Sequence, residues 1–290
     1  MLDSLKRHKV FNNQRIKSVA RKIWHSRFGR LVERSHGDWR YPFLSLGWWL
    51  AGKVVPRKKV RVEGISFNLS CTNWITHFRW YLFHGKEPEV RYFIDEYLKD
   101  DDVFFDIGAN VGVFSIYAAM RKPGLSVYCF EPEVSNMYTL KENIIHNGLT
   151  DRVKINCMGI SDKIGYTLFH LSSFEEGSAV HTESREKITT TDEGFPVVWS
   201  EGIISVTLDY ICKQLQCIPN ALKIDTDGNE PKILDGALNL LSNETLRCLI
   251  VEMSEEEGKR IHCQELLKAK GFCLEDHCFD KTRNEIWVRK

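Results

Sequence analysis

Residues 103–112 read VFFDIGANVG, and the rest of the chain is interpreted from them. Val103, Phe104, Phe105 and Ile107 suit a buried strand, which runs into a turn of small residues. A helical spacing follows at once in Val113, Phe114, Ile116, Tyr117 and Met120. Strand, glycine turn and helix open a nucleotide-binding α/β unit. Gly108 and Gly112 can take backbone angles closed to other residues and let the chain approach a ligand closely. Asp106 falls at the carboxyl end of the strand, where open α/β sheets bind ligands. Asn110, within the turn, can hydrogen-bond a carboxylate or an amine and tolerates unusual backbone angles.

The loop is not the G-x-G-x-x-G of dinucleotide sites, whose amides and helix N-terminus hold a pyrophosphate. An acid precedes the first glycine; it repels phosphate and suits an ammonium group. S-adenosylmethionine carries no phosphate but has an amino-acid tail and a sulfonium cation. About twenty residues on, VYCFEP (127–132) ends a second strand with Glu131, which can accept both ribose hydroxyls. The two motifs together point to S-adenosylmethionine as cofactor; a nicotinamide cofactor and an oxidoreductase activity form the alternative. Asp162, beyond the third strand, is a candidate acceptor for the adenine amino group, or else a turn acid near Gly165.

These stretches also carry a family resemblance. FFDIGANVGVFS (104–115), CFEPEVSNMYTLKENIIHNGL (129–149), ISVTLDYI (204–211), LKIDTDGNEPKILDGA (222–237) and LIVEMS (249–254) follow the order found in FkbM-type methyltransferases. The resemblance runs from about Phe67 to the C-terminus. It implies an α/β class I methyltransferase fold, Rossmann-like, with a seven-stranded mostly parallel sheet and helices on both faces. It further implies S-adenosylmethionine-dependent O-methylation of a hydroxyl on a sugar, glycan or natural product. Where the family commonly has V-E-G, this chain has Thr226-Asp227-Gly228, an acid one methylene shorter.

Methyl transfer to oxygen needs positioning and a route for the hydroxyl proton. The candidates lie in KIDTDGNE (223–230): Asp225 at a strand end, Asp227 beyond it, and Glu230 at the start of the next helix. Asp225 and Asp227 are the expected catalytic acids. Glu252 ends the following strand and can line the same crevice, and Lys223 can pair with an acid. A divalent metal held by these oxygens is a less favoured use; macrocin-type O-methyltransferases, a related group, hold magnesium with acids near this point. The segment 172–199 lacks periodicity and reads as a lid or acceptor-binding loop, with His181 a minor candidate.

Length fits one catalytic domain with an extension, drawn here as 1–66 and 67–290. Nine cysteines show no metal-finger spacing and no secretory signal precedes them, so a cytoplasmic chain with reduced thiols is expected. Charge is uneven: residues 1–62 hold 16 Lys/Arg against 3 Asp/Glu, in a chain with net charge +1. Within this extension, 14–34 has the spacing of a basic amphipathic helix, and 41–55 is apolar and aromatic but too short to span a bilayer. An arm docking on the catalytic domain or a second subunit is the leading expectation. Peripheral membrane contact through residues 1–60 is the next, including a non-catalytic membrane-associated protein of this fold. No nucleic-acid partner is expected, since no recognition motif accompanies the basic residues. A hairpin is expected over 60–69 and a helix over 88–99, begun by Glu89, which either reaches the cofactor's amino group or is solvated. Asp209 is expected to cap the helix that follows 203–208.

Overall fold

A computed structural model describes residues 57–192, 194–275 and 282–289. The helix expected over 14–34, the aromatic run 41–55 and the roles assigned to residues 1–56 lie outside the described residues. A hairpin comes first: β1 (Arg57–Val62) and β2 (Ile65–Ser70) pair antiparallel and turn at Glu63-Gly64. Two helices follow, α1 (Trp74–Leu82) and α2 (Pro88–Tyr97). The α/β unit is β3 (Val103–Ile107), α3 (Val113–Arg121), β4 (Ser126–Phe130), α4 (Val134–His146) and β5 (Val153–Asn156). A small sheet is built from β6 (Gly159–Ile160), β7 (Gly165–Leu171), β8 (Thr182–Ser184) and β9 (Trp199–Val206). The second half runs α5 (Leu208–Leu215), β10 (Ala221–Ile224), α6 (Glu230–Asp235), β11 (Cys248–Glu252), α7 (Glu257–Ala269), β12 (Phe272–Leu274) and β13 (Asn284–Arg289).

The main sheet has seven strands in the order β12-β13-β11-β10-β3-β4-β5. The five from β11 to β5 are parallel, and β13 runs antiparallel to both its neighbours. This is the class I methyltransferase architecture expected from the sequence. Alternation along each strand divides the core between two faces. Phe104, Ala221 and Ile250 point to one side, against α2, α3, α4 and the hairpin residues Val60, Phe67 and Leu69. Phe105, Leu222 and Leu249 point to the other, against α5, α6 and α7. The strands are apolar on both sides because both sides are covered. Order reverses between β3 and β10, so the crevice for ligands opens at their carboxyl ends.

Two local expectations change. Glu89 is buried and accepts hydrogen bonds from Thr282 and from Asn284 Nδ2 (2.8 Å), so it ties α2 to the last strand rather than meeting solvent or a cofactor. The cap of α5 is Thr207, whose hydroxyl accepts from Tyr210 N; Asp209 instead accepts from the backbone N–H groups of Asn239 and Leu240. Among the described residues no helix is long and apolar enough to cross a membrane.

Candidate functional site

The turn between β3 and α3 brings two strand ends into contact. Gly108 sits at φ +76°, and a Cβ there would collide with the backbone carbonyl of Asp225 at the end of β10. Only glycine permits both the angle and the approach. The N–H groups of Gly108 and Ala109 donate to Phe130 O (3.0 and 3.1 Å), which ties the turn to the end of β4. Asn110, at φ 51°, donates its backbone N–H to Glu131 Oε2 (2.8 Å) and its side-chain amide to Ser178 O (2.6 Å). Gly112 starts α3 at φ +81°, and a Cβ there would strike Leu140 of α4. It lines neither cavity described below; its smallness serves helix packing.

Two cavities meet at this turn. One is an open cleft walled by Phe130, Glu131, Asn136, Met158, Ile160 and His181. The other, larger and also open to solvent, is walled by Asp106, Phe114, Lys223, Glu252, Arg283 and, from α1, Arg79. Gly108, Asn110, Ala179, Asp225 and Asp227 line both, and this shared lining is the neck. Six residues singled out in the sequence therefore converge here: Asp106, Gly108, Asn110, Glu131, Asp225 and Asp227. Asp162 does not join them. Its carboxylate lies 3.2 Å from Lys163 Nζ outside both linings, while Glu183, which carried no sequence signal, lines the smaller cavity.

Glu131 is buried and accepts from the N–H groups of Asn110 and Glu133 (3.0 Å). Burial outweighs those hydrogen bonds and pushes its carboxyl up to about 7. His181, in the same wall, is held neutral: burial and then the Arg79 charge lower its ring to about 4. Its Nδ1 lies 3.2 Å from Ser172 N and its Nε2 lies 3.2 Å from the Ser178 hydroxyl.

The larger cavity is a charge network. Lys223, buried in β10, places Nζ 2.9 Å from Asp225 Oδ2 and 3.3 Å from Asp106 Oδ1. Asp106 Oδ2 takes the Ser115 hydroxyl, whereas Oδ1 is buried without a hydrogen bond among the described residues. Burial alone would depress the Lys223 ammonium, but Asp106 and Asp225 raise it above the usual lysine value. Burial also disfavours the Asp225 carboxylate, yet Lys223 and the hydrogen bond from Glu252 hold it well below the usual range. Glu252 moves the other way, pushed up to about 9 by burial and by the facing Asp225 charge, although Arg283 donates to it at 2.6 Å. Asp225 and Glu252 therefore shift in opposite directions and titrate as a pair.

Asp225, Asp227 and Glu252 each bring one oxygen within 4.8 Å of the others. Lys223 and Arg283 already stand against Asp225 and Glu252, two cations that a divalent ion at the same oxygens would have to displace or repel. The donor set fits ion pairing better than a metal. Glu230 starts α6, as expected, and is buried: its carboxylate accepts from Thr226 N, the Thr226 hydroxyl and Gly228 N. That clamp holds Asp227 at φ 55°, a left-handed angle aspartate tolerates.

A strap from 172 to 183 crosses the neck. Asn110 and Asn136 donate to Ser178 O, Arg79 donates to Gly177 O, and Asp227 Oδ2 accepts the Val180 N–H at 2.6 Å. Val180 is held at φ 60°, an outlying conformation for a β-branched residue. Asp227 therefore fixes the strap as well as facing the cavities. The irregular composition of 172–199 marked a binding loop; the polar pins could not be read, because their partners lie on distant elements.

Comparison with known proteins adds a family. The model for the methyltransferase FkbM domain matches residues 106–272. The 31-O-demethyl-FK506 methyltransferase FkbM of Streptomyces tacrolimicus is 27% identical over 216 residues, covering 68% of this chain and 78% of that protein. The hexuronic acid methyltransferase AglP of Haloferax volcanii is 26% identical over 174 residues, 58% of this chain and 62% of that one. The crystal structure of an FkbM methyltransferase from Methylobacillus flagellatus aligns with TM-score 0.49 and 16% identity over 74% of this chain and 52% of that longer one.

Proposed function

The chain belongs to the FkbM methyltransferase domain family, and on that premise we propose that it uses S-adenosylmethionine to methylate a hydroxyl of a small sugar or natural-product acceptor. The observation that carries this reading is the neck. Gly108, Asn110, Asp225 and Asp227 line both a cavity holding Glu131 and one holding Asp106 and Glu252. A two-part cofactor with its reactive centre in the middle suits that shape. The residues fit the group: Glu131 is an acceptor for ribose hydroxyls, and Asp106 adds a carboxylate, already paired with Lys223, to the lining of the larger cavity. An acid before the first glycine of the turn disfavours a pyrophosphate, and with it the nicotinamide alternative.

When bound, such a donor supplies an activated methyl on a sulfonium sulfur, and transfer to oxygen is an in-line displacement. The protein's part is to position the acceptor and accept its proton. Asp225, stabilised as a carboxylate by Lys223, is a weak base and orients the acceptor hydroxyl by accepting its hydrogen bond. Asp227, beside it in the neck, receives the proton as the new C–O bond forms. His181, in the lining of the smaller cavity, is held neutral by burial and adds no repulsion to a sulfonium.

Calorimetry with S-adenosylhomocysteine and with a nicotinamide dinucleotide tests this directly. Homocysteine nucleoside binding is expected, and Glu131→Ala and Asp106→Asn each weaken it by about 1.5–3 kcal/mol, the value of a hydrogen bond to a charged group. Unchanged affinity in both variants, or binding of the dinucleotide alone, overturns the assignment.

A further inference from the structure

Helix α1 carries a second surface that the cavities do not use. Trp74, Phe78 and Tyr81 recur at the i, i+4, i+7 spacing of one helix face and are 65%, 45% and 68% exposed. Trp74 and Phe78 are in ring contact at 5.9 Å, and Trp80 and Tyr81 at 6.4 Å. Trp80 joins this face to the hairpin: its indole donates to Lys59 O (3.1 Å), and Lys58 Nζ sits 5.6 Å from its ring. On β1, Arg57, Lys58, Lys59 and Arg61 are all exposed. Between Glu63 and Glu87 the sequence has no acid, and Glu63 is paired with Arg121 at 3.1 Å. Exposed aromatics beside a basic strand mark a contact surface.

We propose that the aromatic face of α1 and the basic strand β1 form a docking surface for an anionic lipid bilayer. Amphipathic rings are favoured at headgroup depth, and clustered Lys/Arg are drawn to acidic lipid. The aromatics stand on an exposed helix face. Single-stranded nucleic acid, the other ligand that combines bases with rings, is held in a charged groove. In sequence the aromatic run 41–55, with Trp48 and Trp49, leads directly into this strand at Arg57. On its other flank α1 contributes Arg79 to the larger cavity, so the surface borders that cavity's wall. This inference does not depend on the cofactor assignment.

Co-sedimentation of the full-length chain with vesicles of equimolar phosphatidylglycerol and phosphatidylcholine, against phosphatidylcholine alone, provides the test. The wild type is expected to bind the anionic vesicles, weakly at high salt and weakly to the neutral ones. Trp74→Ser/Phe78→Ser/Tyr81→Ser and Lys58→Glu/Lys59→Glu should each lose at least tenfold in partitioning while keeping the wild-type melting curve, since all five side chains are exposed. Wild-type partitioning in both folded variants overturns the proposal and moves any membrane contact to residues 1–56. So does a wild type that binds a single-stranded oligonucleotide but no vesicle. A wild-type dimer that the aromatic substitutions convert to monomer, without vesicle binding, assigns the face to self-association instead.

Discussion

Glu131 ends β4, and Asp225 and Glu252 end β10 and β11, so all three occupy the same kind of position in one sheet. Their surroundings differ. Glu131 is met by two backbone N–H groups and no cation within the described contacts, and burial leaves it pushed up to about 7. Asp225 is met by a buried ammonium and held down, and its charge in turn pushes Glu252 up to about 9. A strand-end acid is thus not one chemical object. Dipolar N–H groups leave a carboxyl poised near neutrality, suited to gripping hydroxyls, whereas a full cation fixes a carboxylate that orients but does not readily take protons.

The sharpest way to break this contrast is to remove the cation. Lys223→Met leaves buried Asp106 and partly exposed Asp225 without their partner, and the loss of one side of a buried ion pair costs about 3–5 kcal/mol. Thermal denaturation should show a fall of roughly 10 °C for a chain of this size. Retention of the wild-type melting temperature would mean the network contributes little and the contrast with Glu131 is unfounded. A smaller effect separates the two acids of the neck. Asp227→Asn should slow methyl transfer on the order of 100-fold, as loss of a general base does. Asp225→Asn should slow it on the order of tenfold by loosening the acceptor. The reverse order, measured at saturating donor, would exchange the two roles.

The mildest effect is on pH. Because Glu131 is pushed up to about 7, its carboxylate fades as pH falls through that value, and S-adenosylhomocysteine affinity should drop up to about tenfold for each pH unit below it. The same shift acts on stability in the opposite sense. A carboxyl whose folded value is raised favours the folded state most below its unfolded value, and that contribution is lost as pH rises from about 4.5 towards 7. Glu131→Gln should abolish the affinity profile and raise the melting temperature at about pH 8, where the wild type buries a charge that glutamine lacks. An affinity profile that is flat in the wild type would remove Glu131 from the ribose.

Much of the sheet was legible because its signals are local. Strand-like runs, the glycine turn and the acids ending β3, β4, β10 and β11 lie in contiguous stretches, and a doubly wound topology sends all those ends to one crevice. Lys223 was readable as a partner for an acid, being a lone charge inside an apolar strand. Arg283 was not, since it reaches Glu252 from the residue just before the antiparallel strand β13, far along the chain. Glu89 looked like a helix-start acid and became a buried anchor for Asn284 for the same reason. Gly112 and Gly108 looked alike in sequence, yet one makes room for Leu140 and the other for the Asp225 backbone.

By itself, the sequence determined a parallel α/β sheet with acids at its ligand-binding edge, because hydrophobic period and turn chemistry act over a few residues. Only the tertiary structure decided which acid is charged, which is poised and which serves as a clamp. Those states depend on burial and on charges brought within a few ångströms from elements far apart in the chain, and the electrostatic free energy of a carboxyl is set by that neighbourhood rather than by its place in the sequence.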